Sequence, residues 1–215
     1  MKDIIIYGSG GMAREVAALI EDINAVQPTW NIAGFIDDFR GKTDELVNGY
    51  KVLGSGSYLN SAEAARNIVI AVGDPDAKES IYEKIKGCGL EFPSIIHPSA
   101  RIARNASVGE GTIVGIECIV SVNVKLGRNV FLNTRTVLGH DAEVGDFTSC
   151  LVNCLISGNV SIGRSCVLGS GCIVKEKINI ADKAKVGMGA IVCYDVAEGY
   201  TVMSRPSASM AFHNV

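Results

Sequence analysis

The sequence is poor in histidine, proline and aromatic residues, and it has no excess of positive charge. Its 215 residues include three His, one Trp and five Pro, aromatic residues make up 6%, and the formal net charge is −3. Because Lys and Arg are dispersed, no basic surface predicts binding to nucleic acid. The apolar runs are too short to cross a bilayer, and the first residues do not follow a secretory-signal pattern. We therefore expect a cytoplasmic protein without membrane contact.

The seven cysteines do not form a pattern typical of disulfides or metal sites. The sequence has no Cys-x-x-Cys pair, and the count is odd, which favours a reduced compartment. A zinc-dependent hydratase would need three histidines on one metal ion, and only His140 lies between residues 98 and 206. We therefore predict no metal site, and the hydratase class is disfavoured.

What the sequence has in abundance is a six-residue repeat. Every sixth residue from Ile102 to Val192 is apolar, and the residue two places before each is small or β-branched. This period fits short strands joined by bends, each strand sending one large residue inward. Inward positions also hold five cysteines, which we expect to act as small hydrophobes: Cys118, Cys150, Cys154, Cys166 and Cys172. Glycine often follows the large residue, and we expect it to provide the positive φ of a tight corner.

The first 95 residues have a different pattern, in which strands alternate with helices. We predict strands at 3–7, 32–36, 68–72 and 92–96, and helices at 12–23 and 75–86. This alternation indicates a parallel, Rossmann-like sheet, which binds ligands at the carboxyl ends of its strands. Three such ends carry the glycine turn Gly8-Ser9-Gly10-Gly11, the pair Asp37-Asp38, and Gly73-Asp74. Bare backbone amides at a helix N-terminus favour an anion such as phosphate.

The whole chain resembles the bacterial nucleotide-aminosugar N-acetyltransferases and the related sialic acid O-acetyltransferases. The matching stretches are Ile-Tyr-Gly-Ser-Gly-Gly, Gly-Phe-Ile-Asp-Asp-Phe, Ile-Ala-Val-Gly-Asp, Ile-Ile-His-Pro-Ser-Ala and Gly-His-Asp-Ala-Glu-Val-Gly-Asp-Phe. The resemblance implies a Rossmann-like nucleotide-sugar-binding domain at 1–95. It also implies a left-handed parallel β-helix of about five coils with a short C-terminal tail at 96–215.

The resemblance assigns the N-terminal domain to the nucleotide of the sugar. It places Gly10 and Gly11 at the phosphates, Asp37 and Asp38 at the nucleoside, and Gly73 beside the same ligand. Gly8 and Met12 complete this predicted set. Family members commonly have Ser-Gly-His-Gly where this chain has Gly10-Gly11-Met12-Ala13, so Met12 replaces a histidine.

His140 coincides with the general base of this family and is followed by an acid, Asp141. Histidine can accept a proton near neutral pH while an amine or hydroxyl attacks the acyl-CoA thioester. The resemblance gives the backbone of Gly158 as oxyanion donor, because the tetrahedral intermediate needs a preorganised N–H group. Asn133 matches an Asn that lies near the base in relatives. Its alternative role is that of a turn or stacked Asn within the coil.

The resemblance also implies acetyl-CoA as co-substrate, held by later coils in a groove between subunits of a homotrimer. The predicted acyl-CoA contacts are Ser149, Gly158, Ser170, Gly187 and Met188. Relatives commonly have a histidine nine residues after the base, where this chain has Ser149.

Three functions stay open at the level of sequence. The first is acetyl transfer to a nucleotide-linked 4-amino-4-deoxy sugar in surface glycan synthesis, and the second is O-acetyl transfer by the same residues. The third is a non-catalytic nucleotide-sugar-binding protein. It is favoured by Met12, by Ser149 and by Ser204, which replaces the glycine of a Gly-x-Pro-Ala motif in relatives, and it is opposed by His140-Asp141 and Gly158.

Overall fold

A computed structural model describes residues 1–39, 43–61 and 64–204, and begins with an α/β region. Its elements are β1 (Lys2–Tyr7), α1 (Gly11–Val26), β2 (Trp30–Ile36), β3 (Leu46–Val47), β4 (Tyr50–Gly54), a 3₁₀ turn (Gly56–Asn60), β5 (Asn67–Ile70) and α2 (Pro75–Ile85). The strands form one sheet in the order β3-β4-β2-β1-β5, parallel except for the β3–β4 pair. Most of the predicted tail, including His213, lies outside the described residues.

The two helices cover opposite faces of this sheet because successive side chains of a strand point to opposite sides. Ile4 and Ile6 of β1 pack in one cluster with α1, whereas Ile5 and Tyr7 pack in another with α2. The carboxyl edge of the sheet stays uncovered. That edge carries the glycine turn, the residues after β2 and the residues after β5.

Residues 95–202 form a left-handed parallel β-helix of two-residue strands. They are β6 (Ile95–Ile96), β7 (Arg101–Ile102), β8 (Ser107–Val108), β9 (Ile113–Val114), β10 (Ile119–Val120), β11 (Lys125–Leu126), β12 (Phe131–Leu132), β13 (Val137–Leu138), β14 (Glu143–Val144), β15 (Ser149–Cys150), β16 (Leu155–Ile156), β17 (Ser161–Ile162), β18 (Val167–Leu168), β19 (Ile173–Val174), β20 (Asn179–Ile180), β21 (Lys185–Val186), β22 (Ile191–Val192) and β23 (Thr201–Val202).

Every third strand stacks in register, so the β-helix has three flat faces. Sheet 1 is β7-β10-β13-β16-β19-β22, sheet 2 is β8-β11-β14-β17-β20, and sheet 3 is β6-β9-β12-β15-β18-β21-β23. The second residue of most strands and the small residue two places earlier are buried in one continuous core. The five inward cysteines are buried and free, as predicted.

The predicted reason for the repeated glycines is wrong. The glycines that follow the large inward residue, such as Gly109, Gly139 and Gly169, do not have positive φ. The left-handed residue comes two places later and is often not glycine, as at Asn129 after Gly127 and Asp141 after Gly139. A Cβ on Gly139 would lie 2.6 Å from the backbone N of Gly158. These glycines therefore allow adjacent coils to approach closely.

The predicted strand at 92–96 is also wrong in extent and in partner. Only Ile95–Ile96 is extended, and it pairs with β9 of the β-helix instead of the N-terminal sheet. β3, β4 and the 3₁₀ turn were not predicted. The N-terminal region packs on the outside of sheet 3, where Ile113 and Phe131 join the cluster under α1. No helix among the described residues is both long and apolar enough to cross a membrane.

Candidate active site

A pocket at the carboxyl edge of the N-terminal sheet brings together most of the predicted nucleotide residues. It measures about 320 Å³ and is lined by Gly8, Gly10, Gly11, Met12, Asp37, Phe39, Ala71, Val72 and Gly73. Gly8 has a φ of +112°, and a Cβ there would lie 2.8 Å from the carbonyl oxygen of Ala71. Only glycine fits at this close approach between β1 and the residues after β5.

The first turn of α1 leaves backbone N–H groups available at this pocket. Gly10 is the N-cap residue, and no side chain caps the helix. A Cβ on Gly11 would meet nothing within 4 Å, so the space in front of that amide is open. A helix N-terminus without a side-chain cap, facing a pocket, favours a negatively charged group.

The two acidic residues after β2 have different environments. Asp37 lines the pocket, and its carboxylate accepts hydrogen bonds from the Ser9 N–H at 2.8 Å and the Ser9 hydroxyl at 2.7 Å. It therefore fixes the glycine turn. Asp38 lies in a neighbouring pocket and accepts from the Tyr7 hydroxyl and the Gly56 N–H, both at 2.8 Å. The structure does not bring Asp38 together with the glycines.

His140 lies in a turn of the β-helix after β13, in sheet 1. Its Nδ1 is 2.8 Å from Asp141 Oδ2, and 59% of its side chain is exposed. Asp141 has a φ of +58° and accepts a second hydrogen bond from Asn123 Nδ2 at 2.8 Å. The hydrogen bond from Asn123, and secondarily that from His140, hold the pKa of Asp141 below its usual range. An ionised Asp141 keeps the Nδ1–H tautomer of His140, which leaves Nε2 free to accept a proton.

Gly158 lies one coil after His140 and supports its ring. A Cβ on Gly158 would lie 2.6 Å from Nε2 and 2.7 Å from Cε1 of His140. Because glycine has no side chain, the imidazole lies directly over the Gly158 backbone. In the part of the chain that the structure describes, no hydrogen bond uses the Gly158 N–H.

Sequence reasoning missed Asn123, although the repeat contains the signal. Asn123 precedes Asp141 by 18 residues, which is the spacing of stacked strands such as Lys125 and Glu143. Residues at this spacing occupy the same turn in neighbouring coils. The residue 18 places before a candidate acid is therefore its expected neighbour.

The remaining predicted residues lie in a different row of turns. Asn133, Ser170, Gly187 and Met188 follow strands of sheet 3, whereas His140 follows a strand of sheet 1. Asn133 lines a groove of about 300 Å³ between α1 and the β-helix, and its Oδ1 accepts from the Thr134 N–H at 2.7 Å. Neither the groove at Asn133 nor the glycine pocket is lined by His140.

Ser149 is placed differently from what the sequence predicts. It is fully buried beneath α2, at 0% exposure. Its hydroxyl accepts from Lys78 Nζ and donates to the Gly73 carbonyl, each at 3.2 Å. This placement does not offer the hydroxyl to an acyl-CoA. Within residues 1–39, 43–61 and 64–204, no group of three or more His, Cys, Asp or Glu is arranged to hold a metal ion.

Comparison with known proteins gives matches to both halves of the chain. Residues 3–85 match the family described as the PglD N-terminal domain. The acetyltransferase domain of PglB from Neisseria gonorrhoeae FA1090, solved in complex with acetyl coenzyme A, superposes with a TM-score of 0.85 at 25% identity, covering 97% of this chain and 99% of that chain. The N-terminal region thus matches that family, and the whole chain has the fold of that acetyltransferase domain. The resemblance predicted from the sequence is therefore confirmed, as is the fold.

Two curated proteins are similar to part of the chain. GDP-perosamine N-acetyltransferase of Escherichia coli O157:H7 is 27% identical over 138 residues, which are 63% of this chain and 61% of that protein. UDP-N-acetylbacillosamine N-acetyltransferase of Bacillus subtilis (strain 168) is 34% identical over 120 residues, which are 53% of this chain and 51% of that protein. The chain thus spans about half to three-fifths of the length of these relatives.

Proposed function

We propose that this protein transfers the acetyl group of acetyl-CoA to the amine of a nucleotide-linked 4-amino-4-deoxy sugar. The observation that carries the proposal is the His140–Asp141 pair, in which the acid orients the imidazole, in a chain that also has a glycine-lined pocket at the N-terminus of α1. The two curated relatives are named for N-acetyl transfer to nucleotide-linked sugars. The neighbouring solved structure contains acetyl coenzyme A.

The proposed reaction uses few groups of this chain. The neutral amine of the sugar attacks the thioester carbonyl carbon, and His140 Nε2 accepts the proton that the amine loses. Asp141 stabilises the imidazolium that forms, and the Gly158 N–H is the proposed donor to the oxyanion. The tetrahedral intermediate then collapses, the carbon–sulfur bond breaks, and His140 returns the proton to the CoA thiolate. The products are an amide and free CoA.

The glycine pocket is the proposed site of the nucleotide diphosphate. The uncapped N-terminus of α1 supplies N–H groups for the phosphates, with Gly8, Gly10, Gly11 and Gly73 leaving room for close contact. Asp37 is the proposed contact to the nucleoside, and Met12 lies at the edge of the same pocket. Asp38 is a weaker candidate, because it lies in a neighbouring pocket and not with the glycine turn.

The apolar face of sheet 1 supports a homotrimer with active sites between subunits. The outward side chains of Ile119, Leu155, Ile173 and Ile191 are 43%, 43%, 40% and 66% exposed. The corresponding positions of sheet 2 are polar or charged: Ser107, Lys125, Glu143, Ser161 and Asn179. A contiguous exposed apolar face marks an interaction surface, and a cyclic trimer buries one such face per subunit. It would also place His140 of one subunit near Asn133, Ser170, Gly187 and Met188 of the next.

The test is CoA release by the purified protein with acetyl-CoA and a panel of UDP-, dTDP- and GDP-linked 4-amino sugars. We expect turnover with one amino sugar, and a loss of about 10²- to 10⁴-fold in kcat in His140→Ala, the range for a general base. The matched control is His97→Gln, because His97 contacts Ser99 and Asp22, far along the chain from the base.

Three outcomes would contradict the proposal in different ways. Transfer only to hydroxyl-bearing sugars would indicate an O-acetyltransferase. Nucleotide-sugar binding without turnover would indicate a binding protein. Turnover that is unchanged in His140→Ala would remove His140 from the mechanism.

A further inference from the structure

Among the described residues, one buried lysine takes no part in the proposed reaction. Lys78, in the first half of α2, is 1% exposed, and its amine lies against β15 of the β-helix. Burial lowers the pKa of Lys78 to about 7, with smaller opposing effects from Cys150 and Asp74. None of the ion pairs among the described residues includes this amine. Its hydrogen-bond partner is the Ser149 hydroxyl, at 3.2 Å.

Burying an amine costs free energy that an apolar side chain of the same length would not cost. Methionine would fill similar space against β15 without that desolvation. What Lys78 contributes at this position, and methionine could not, is therefore its hydrogen bond to Ser149.

The hydrogen bond continues from Lys78 through Ser149 to the glycine pocket. The Ser149 hydroxyl donates to the carbonyl oxygen of Gly73 at 3.2 Å, and Gly73 forms part of the pocket wall. A Cβ on Gly73 would lie 3.9 Å from Met12 Sδ, so this wall is directly opposite the start of α1. Asp74 then caps α2, with its side chain accepting from the Ala77 N–H at 2.9 Å. The loop between β5 and α2 is thus fixed to the β-helix at the point where it borders the pocket.

A chemical role for the Lys78–Ser149 pair does not fit its surroundings. A lysine next to a serine can activate the hydroxyl as a nucleophile. Here both side chains are sealed, at 1% and 0% exposure, so no acyl carbonyl can reach the serine oxygen. The same sealing excludes direct contact of either side chain with a ligand in the pocket.

We propose that Lys78 is a positioning residue, which through Ser149 holds the Gly73 carbonyl against the β-helix and so sets the shape of the nucleotide pocket. This inference rests on the proposed binding of a nucleoside diphosphate by that pocket. It also gives Ser149 a role of its own. A bulkier imidazole at position 149 would displace the Lys78 amine from its present place, because the site is fully packed.

The experiment measures dissociation constants for UDP, GDP, dTDP and acetyl-CoA by calorimetry, with the full chain. The variants are Lys78→Met, Ser149→Ala and the double variant. The matched control is Lys84→Met, in the last turn of the same helix. Thermal unfolding of each variant reports loss of stability separately. Ser149→Ala removes only a hydroxyl and keeps the inference testable if Lys78→Met does not fold.

We expect each single variant to bind the nucleoside diphosphate about tenfold more weakly, the effect of one lost buried hydrogen bond, with an unchanged constant for acetyl-CoA. The double variant should be no weaker than either single variant, because both break the same hydrogen-bonded chain. Lys84→Met should behave as the wild type.

Two results would overturn the inference. One is nucleotide affinity in Lys78→Met and Ser149→Ala equal to that of the wild type. The other is an equal loss of affinity for acetyl-CoA and nucleotide in parallel with stability, which would indicate a structural role only. If the wild type binds none of UDP, GDP and dTDP, the proposed function itself fails. That result is distinct from a wild type that binds a nucleotide while Lys78→Met and Ser149→Ala bind it equally well.

Discussion

The glycine pocket and the His140 turn differ in how much of a site one chain completes. The pocket is enclosed by residues of three loops, and its glycine turn is fixed by Asp37 through Ser9. The His140 turn is an exposed corner with a base, an acid and a supporting glycine, and 59% of the His140 side chain is exposed. A binding pocket can be built by local loops, whereas a base on the corner of a β-helix needs a second surface to exclude water.

The difference between the glycine pocket and the His140 turn predicts that one chain suffices for nucleotide binding. It also predicts that turnover requires an oligomer. Sheet 1, which carries the exposed apolar face, also carries His140 at the end of β13. If that face joins neighbouring subunits, the second wall of the catalytic corner comes from another copy of the chain.

Disrupting the apolar face should have the largest effect. The double substitution Leu155→Glu and Ile173→Glu places two carboxylates on exposed side-chain positions of sheet 1, so the fold should persist while subunits separate. We expect a monomer by light scattering and a loss of turnover of roughly 100-fold or more, because the reacting groups are no longer held together. Nucleotide affinity should stay unchanged.

The control for this variant is Ser161→Glu, at the equivalent outward position of sheet 2. It should leave both the assembly and turnover as in the wild type. A fully active monomer would show that one chain completes the catalytic site, and the contrast between the two regions would disappear.

Adding one methyl group under the base should have the next largest effect. In Gly158→Ala, the new Cβ would lie 2.6 Å from His140 Nε2, so the ring must move away from the backbone. We expect a fall of about 100-fold in kcat, the cost of misplacing a reacting group by about 1 Å, with nucleotide affinity retained. Gly87→Ala is the control, because a Cβ there meets nothing within 4 Å. Equal kcat in Gly158→Ala and Gly87→Ala would show that catalysis does not depend on the position of the His140 ring over Gly158.

The β-helix could be predicted in detail from the sequence because its signal is repeated. The inward positions from Ile102 to Val192 are where the six-residue period places them, and five cysteines fill that core as expected. The positive φ predicted for Gly139 and the equivalent glycines was wrong. These glycines instead allow neighbouring coils to lie close together. That contact joins residues about 18 apart, and a single hexad does not reveal it.

The N-terminal region could be predicted only where local signals are strong. The glycine turn after β1 and the Asp74-Pro75 start of α2 are such signals, and both helices lie close to their predicted limits. The burial of Ser149 by Lys78 was beyond prediction, because the two residues are 71 positions apart, one in α2 and the other in β15 of the β-helix. The separation of Asp37 from Asp38 likewise depends on Gly56, in an element without a clear sequence pattern.

Removing Asn123, the second hydrogen-bond partner of Asp141, should have the smallest effect. It tests what keeps Asp141 ionised next to His140. Asn123→Gly keeps a residue that tolerates the observed φ of +60° and removes the amide that donates to Asp141. That hydrogen bond is the main cause that lowers the pKa of Asp141, so the substitution should raise it. The carboxylate is ionised above its pKa. His140 Nδ1 has an ionised acceptor only above the pKa of Asp141. In Asn123→Gly that acceptor should therefore be lost at a higher pH than in the wild type.

Carbon NMR of labelled Asp carboxyl groups would measure this shift directly. At neutral pH Asp141 should still be ionised in Asn123→Gly, so kcat should fall only a few-fold, through looser orientation of the imidazole. Asn153→Gly is the control, since Asn153 has the same φ of +60° in another turn. A pKa of Asp141 that moves equally in both variants, or in neither, would mean that Asn123 does not hold the acid in its ionised form. The orientation of the His140 imidazole would then depend on its contact with Asp141 alone.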